Sequence, residues 1–434
     1  MTRAERRHLA GRSFGNRDEI IPRIEDWNTP PEVAPPTFAE IRRRMMLEAC
    51  KWDPQVGDGS TLAPFPIVLP AEVAEDLARL AERLAAEALA AERVLIESPD
   101  LLARLGLPRA VRRALSAPAD PTPAAARVVR FDFHPTPDGW RISEANADVP
   151  GGYCESSLFP RLMAGHFPGT RPAGDPAAAL ADAILVAIGR PGTVGLLSAS
   201  GYMEDHQVVA FLARVLTGRG CDAVRTDPRQ IAWRDRRASL AGPDGSPLAL
   251  DAIVRFYQGE WLAGTSTRQG WPAFFRGGRT PVCNPGTAMT IESKRFPLTW
   301  DRLGLDLPTW RTLVPETIDP RRLGRRPGPG WVLKAACGNT GDTVAFSDDA
   351  DGPRWRRAAR AARLRPSRWV AQRRFETLAI PTPRGPRYPC LGVYTVDGRA
   401  AGIFGRLGRG PLIDFAATEA AVLVKVEPGI NDVS

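Results

Sequence analysis

Apolar positions recur every three or four residues over 70–105, where Leu77, Leu80, Leu84, Leu89 and Leu95 fall among Ala, Glu and Arg. That period predicts a long helical region. The same pattern predicts helices over 38–49, 153–164 and 177–188. A further helix opens at Glu204-Asp205 and runs through Val208, Phe211, Leu212 and Leu216 to about Gly218. Short apolar runs predict strands over 193–197, 248–257, 331–333, 343–346, 369–375, 391–396 and 400–406. Helix and strand alternate from 177 to about 285, as in a small doubly wound α/β layer. The Pro- and Gly-containing stretch 168–176 reads as a linker.

The pattern over 128–148 is different. Pro137-Asp138-Gly139 suits a three-residue hairpin loop, with Pro setting the first angle and Gly taking the left-handed position. Residues 128–133 then run up one strand and 140–146 down the next, with Asp132 opposite Glu144 and Arg130 opposite Asn146. Side chains alternate faces along a strand. One face carries Arg130, Asp132, His134, Glu144, Asn146 and Asp148; the other carries Val129, Phe131, Phe133, Ala145 and Ala147 and reads as core. Two carboxylates across a ladder repel each other. A bound cation removes the repulsion, and an all-oxygen set of Asp, Glu and Asn is what Mg²⁺ accepts. The same face also reads as the solvated side of an ordinary hairpin. Magnesium held by so few protein oxygens leaves room for substrate phosphates, which points toward a nucleotide enzyme.

Length and composition suit a globular chain of two or three domains, and no apolar run approaches the length of a membrane span. The basic N-terminus has no apolar stretch behind it, so a cytoplasmic protein is expected. The six cysteines lack CxxC spacing and read as free thiols, and the four histidines lack zinc-ligand spacing. The net charge of +9 is spread along the chain as arginine, densest over 354–368, where helical spacing makes a basic outer face. No nucleic-acid module accompanies it, so no nucleic-acid partner and no membrane partner are expected. Of the 58 basic residues only four are lysine, at 51, 294, 334 and 425. In so arginine-rich a chain, a retained lysine marks a place for a compact ammonium. Lys334 ends a strand and precedes a loop with Gly338 and Gly341; a lysine beside mobile backbone amides suits nucleotide phosphates.

The order of these features resembles the glutathionylspermidine synthetase family over roughly residues 120–425. The matching features are Arg-x-Asp … Glu-x-Asn-x-Asp, an acidic pair opening a helix, Ser293-Lys294, the lysine and glycine loop at 334–342, Ala371-Gln372, and Val-Asp-Gly followed by Gly-x-x-x-Arg. The resemblance implies an α/β (α+β) chain with an ATP-grasp fold, its metal hairpin early, plus an inserted small pre-ATP-grasp-like α/β domain and an N-terminal helical region. The expected divisions are 1–119 (N-terminal helical region), 120–176 (first ATP-grasp part), 177–285 (small α/β domain), 286–425 (second ATP-grasp part) and 426–434 (tail).

By the same resemblance ATP and Mg²⁺ are the cofactors. Asp132, Glu144 and Asn146 would hold the metal, and Arg130 would stabilise a developing acyl phosphate. Lys294, Lys334, Gly338 and Gly341 would meet the phosphates, with Gln372 near the adenine. Glu204 and Asp205 would receive a cationic amine, although such a pair equally complements a helix N-terminus. Arg406 would lie near the reaction centre. After Asn-Ala-Asp the chain departs from the glutathione-using members: Val149-Pro150-Gly151-Gly152 replaces small hydroxyl residues, and Ser156 is the next candidate to bind the acid. The implied reaction is ATP-dependent amide formation between a small-molecule or peptide carboxylate and an amine; a binding protein that keeps the fold without catalysis is the alternative.

Overall fold

The computed structural model describes residues 24–52, 55–56, 59–117, 126–199, 201–242, 244–265, 270–324, 327–338, 344–349 and 352–426. Helix α1 (Pro35–Glu48) begins on proline, whose missing N–H is no loss in a first turn. Strand β1 (Ile67–Leu69) leads into α2 (Ala71–Glu97), which buries Val73, Leu77, Ala81, Leu84, Ala88, Ala91 and Leu95 along one stripe. The helical region expected to reach 105 breaks at Ser98, and a separate short helix, Pro99–Arg104, follows.

Strands β2 (Val128–Thr136) and β3 (Gly139–Asn146) form the expected hairpin, with two differences. Gly139, at φ +108°, already pairs with Thr136, so the loop holds two residues and not three. The register is then restored by a bulge: Phe133 pairs with Ile142 and Phe131 with Ala145, so Ser143 and Glu144 together face Asp132. Arg130 does pair with Asn146.

Helix α3 (Tyr153–Ala164) follows. The stretch read as a linker contains strand β4 (Thr170–Pro172), which gains its partner only from the far end of the chain. Helix α4 (Pro176–Ile188) is capped by the Asp175 carboxylate and ended by Gly189 in the left-handed region. Then come β5 (Thr193–Ser198), α5 (Met203–Thr217), β6 (Asp222–Thr226), β7 (Ala252–Phe256) and β8 (Val282–Cys283). They make a parallel sheet in the order β8-β7-β5-β6. The expected strand 248–257 divides: Leu248 belongs to a small antiparallel sheet of strands Ala232–Arg234, Arg237–Ala241 and Pro247–Ala249, inserted before β7.

The next sheet is antiparallel, ordered β9-β12-β10-β11, from β9 (Thr317–Ile318), β10 (Trp331–Ala335), β11 (Ala345–Phe346) and β12 (Trp369–Arg373). Helix α6 (Pro353–Leu364) packs Trp355, Ala358 and Ala362 onto it. Strands β13 (Tyr388–Val396) and β14 (Arg399–Gly408) turn at Asp397-Gly398, both with positive φ, as a type I′ hairpin requires. With β15 (Thr418–Ala420) they complete a five-stranded sheet ordered β15-β14-β13-β2-β3. Strand β16 (Val422–Lys425) runs between β1 and β4.

The five-stranded sheet separates two cores. Phe131, Phe133, Ile142, Leu391 and Ile403 pack with the α2 stripe. Tyr394 and Phe404 point the other way, toward α3, α4, α5 and the parallel sheet. Asn284, just past β8, joins these layers. Its amide accepts from Val128 N (2.8 Å) and donates to the Val128 and Ala147 carbonyls (2.8 Å each). Among the described residues no helix is long and apolar enough to cross a membrane.

Removing the Asn284 amide strands three buried backbone groups. Asn284→Ala is expected to lose about 3 kcal/mol of stability, read as a lower urea midpoint at an unchanged slope.

Candidate active site

A cavity of about 390 Å³ opens between the polar face of the five-stranded sheet, the β9–β12 sheet, and the carboxyl ends of β5 and β7. Open α/β sheets bind ligands at such ends. Its floor is the β2–β3 hairpin. Asp132 lies here with no exposed surface, because two guanidiniums enclose its carboxylate. Arg130 Nε donates to Oδ1 at 2.7 Å and an Arg130 terminal nitrogen to Oδ2 at 3.0 Å; Arg406 donates to Oδ2 at 2.6 Å. Burial alone would raise the Asp132 pKa, but Arg130 and then Arg406 outweigh it and hold it at about 2.

Two further features keep this arrangement in place. Gly392 pairs with Asp132 across β13, and a Cβ there would come within 2.7 Å of Arg130 Cδ. The Phe404 ring lies under both guanidiniums, 5.3 Å from Arg130 and 5.6 Å from Arg406.

Glu144 and Asn146 line the cavity, whereas Asp132 lies behind the two arginines. The Asn146 side-chain nitrogen is buried with no partner. Lys294 Nζ is 3.2 Å from Glu144 and donates to the Gly338 carbonyl at 2.8 Å. Burial pulls the Lys294 pKa down, but Glu144 and Glu292 more than reverse it; Glu144 in turn is lowered, because Lys294, Arg406 and Lys334 together outweigh its desolvation. Lys334 donates to Gln372 Oε1 (2.8 Å) and to the Ser143 carbonyl (3.0 Å), and burial depresses its pKa to about 8. Gln372 is held from behind by Thr317 (3.0 Å). Beyond Lys334 the cavity is lined by Val332, Phe346 and Phe375, together with Arg373 and Arg374, the latter over the Phe346 ring.

At the other end Glu204 and Asp205, in the first turn of α5, line the cavity. Burial first, and Glu204 second, raise the Asp205 pKa to about 7. Two expected residues lie elsewhere. Ser156 is buried off the cavity, its hydroxyl donating to the Gly152 carbonyl at 2.6 Å. Asp148 leaves the hairpin's polar face to meet the Arg255 guanidinium and the Gly259 N–H (2.6 Å). Gly341 lies outside the described residues. Among the described residues no three His, Cys, Asp or Glu side chains cluster as metal ligands, so an ion here would need the Asn146 amide.

Sequence reasoning missed several residues. The bulge brings Ser143 to the cavity, where its hydroxyl meets His134 Nε2 at 3.0 Å. Lys51, following α1, lies in the opposite wall, 2.7 Å from Glu155 and 3.0 Å from Glu419. Its rarity as a lysine was the available signal. Glu292 accepts the N–H groups of Ala147 (2.9 Å) and Asp148 (2.6 Å), tying the hairpin exit to the segment that carries Lys294.

The model of the glutathionylspermidine synthase preATP-grasp family matches residues 66–424. The chain belongs to that family. No protein of curated function matches it in sequence. This chain's fold is similar to that of a glutathione synthetase-like effector from Globodera pallida, solved in its apo form. The match has a TM-score of 0.57 at 12% identity and covers 93% of this chain and 99% of that one. At that identity the likeness concerns the fold alone. A D-alanyl-alanine synthetase A from Vibrio cholerae matches more loosely (TM-score 0.32, 10% identity, 56% of this chain and 75% of that one).

His134 yields a prediction about stability. Burial lowers its pKa to about 4, so the folded state refuses a proton that the unfolded chain takes near 6.5. Its contribution is full above pH 6.5 and falls by about 3 kcal/mol as pH drops toward 4. His134→Gln should flatten the stability–pH curve over that interval, measured by urea unfolding at each pH.

Proposed function

We propose that this family member is an ATP-dependent carboxylate–amine ligase that releases ADP and forms an amide through an acyl phosphate. The observation that carries the reading is one of charge. Two lysines from separate segments and two arginines from separate strands line one cavity about Glu144, with Asp132 behind the arginines and Glu292 near Lys294. That arrangement suits a polyphosphate accompanied by a divalent ion. The Val332, Phe346 and Phe375 side chains, next to Lys334 and Gln372, suit the flat face of a nucleoside base.

The residues that would hold Mg²⁺ are Glu144, through its carboxylate, and Asn146, through its amide oxygen, both of which line the cavity; the Asp132 carboxylate is engaged by Arg130 and Arg406 behind them. A bound Mg²⁺ would neutralise phosphate charge during transfer. Lys294 and Lys334 bind the phosphates, with the Gly338 carbonyl orienting Lys294. A carboxylate oxygen of the acid displaces ADP from the terminal phosphorus. Arg130, fixed by Asp132 and by the Gly151 carbonyl at 2.6 Å, and Arg406 stabilise the negative charge on the transferring group. The amine nitrogen then attacks the acyl carbon, phosphate leaves, and the amine's proton passes to solvent. Glu204 and Asp205 draw the ammonium form of the amine to the opposite end of the cavity, and it gives up one proton to solvent before its nitrogen attacks. Alignment and charge, and no protein nucleophile, account for the catalysis.

Glu144→Gln should reduce Mg²⁺-dependent ADP release, stimulated by mixed acids and amines, at least 100-fold with little change in melting temperature. Normal turnover would refute the assignment. Tight Mg·ATP binding with no stimulated ADP release in the native protein would identify a binding protein instead. Asp132→Asn should abolish turnover and also cost about 3–5 kcal/mol of stability, since it leaves two buried guanidiniums short of their counter-charge.

With its pKa near 8, Lys334 loses its proton as pH rises through that value. KM for ATP should therefore climb above pH 8, and Lys334→Arg should remove the climb. Steady-state kinetics from pH 6 to 10 reads both.

A further inference from the structure

The bulge in β3 gives two consecutive residues to the cavity. Ile142 and Ala145 are buried, whereas Ser143 and Glu144 between them are both half-buried and both line it. Strict alternation would give the cavity only one of the pair, and a bulge is the device that re-aims the other. Glu144 already has a place in the site. Ser143 has none until its hydrogen bonds are followed.

His134 holds it. The imidazole lines the same cavity, packs against the Phe375 ring (centroids 5.4 Å apart) and has Nε2 at 3.0 Å from the Ser143 hydroxyl. His134 is 4% exposed, and its Nδ1 is buried without a partner. That orphan locates the hydrogens. An orphaned buried N–H is a rarer fault than an underused acceptor, so the neutral ring carries its hydrogen on Nε2 and donates to Ser143 Oγ. A doubly protonated ring donates there as well. Because Oγ accepts, the serine's own hydrogen is left to donate, and among the described residues no protein acceptor meets it.

The surrounding charge selects its partner. Lys334 Nζ donates to the Ser143 carbonyl at 3.0 Å, and Glu144, the next residue, lies 3.2 Å from Lys294. A free hydroxyl donor beside two ammonium groups suits an anionic oxygen. We propose, resting on the ligase reading, that Ser143 binds the nucleotide: its hydroxyl donates to a phosphate oxygen that Lys334 also meets, and His134 is the positioning residue that turns the hydroxyl outward.

Calorimetric titration with Mg·ADP and with adenosine tests this without turnover. Ser143→Ala should weaken Mg·ADP binding about tenfold and leave adenosine binding unchanged, while Ser143→Thr, which keeps the hydroxyl, should retain native affinity. His134→Phe should weaken Mg·ADP binding about threefold in the native background and not at all in Ser143→Ala, because it acts only through that hydroxyl. A histidine with a purely structural role would weaken binding in both backgrounds. Unchanged Mg·ADP affinity in Ser143→Ala, an equal loss for adenosine, or a His134→Phe loss that persists without the hydroxyl overturns the inference and leaves the ligase reading standing. A native protein that binds neither Mg·ATP nor Mg·ADP overturns the ligase reading and the inference together.

Discussion

One buried carboxylate organises the centre of this molecule. Asp132 has no contact with water, and an ionised carboxylate in that position requires partners of opposite charge. It has two, on β2 and β14, and both guanidiniums lie over Phe404. The strand between them, β13, must carry glycine at 392, because any side chain there would occupy the space of the Arg130 stem. Arg130 then reaches the Gly151 carbonyl and sets where α3 begins. A single charge thereby constrains three strands and a helix start.

The cavity above this pair is electrically divided. Lys294, Lys334, Arg130 and Arg406 gather about Glu144 and the buried Asp132, whereas the cavity's other end holds Lys51 among Glu155 and Glu419, with Glu204 and Asp205 also in the lining. Three of the chain's four lysines therefore line one cavity. A substrate pair made of an anion and a cation would be drawn to opposite ends before any contact forms.

Much of this was legible in the residue order, and the exceptions have physical reasons. The pairing of Arg130 with Asn146 follows from alternation and an approximate loop length. The bulge does not, because a two-residue turn and a bulged residue cancel in the count, so alternation alone could not place Ser143 at the cavity. Strand β4 looks like a linker because its partner, β16, lies some 250 residues later and no local pattern announces it. The helix signals at 153–164 and 177–188 were plain because they depend only on near neighbours. Asn284 gave no signal: its value lies in matching a donor and two acceptors on strands remote in sequence. Asp148 was placed by strand alternation, but the strand ends at Asn146, and alternation has no meaning beyond it.

The order of strands in the five-stranded sheet bears on how the chain comes to exist. The β2–β3 hairpin emerges from the ribosome early, yet its neighbour β13 begins at residue 388. Throughout the intervening synthesis the hairpin's inner edge, with its row of unpaired amides and a desolvation-averse carboxylate, has no native neighbour. Translation must deliver more than half the polypeptide before that edge is closed, so nascent chains pass through a long interval in which strand exchange between molecules competes with completion.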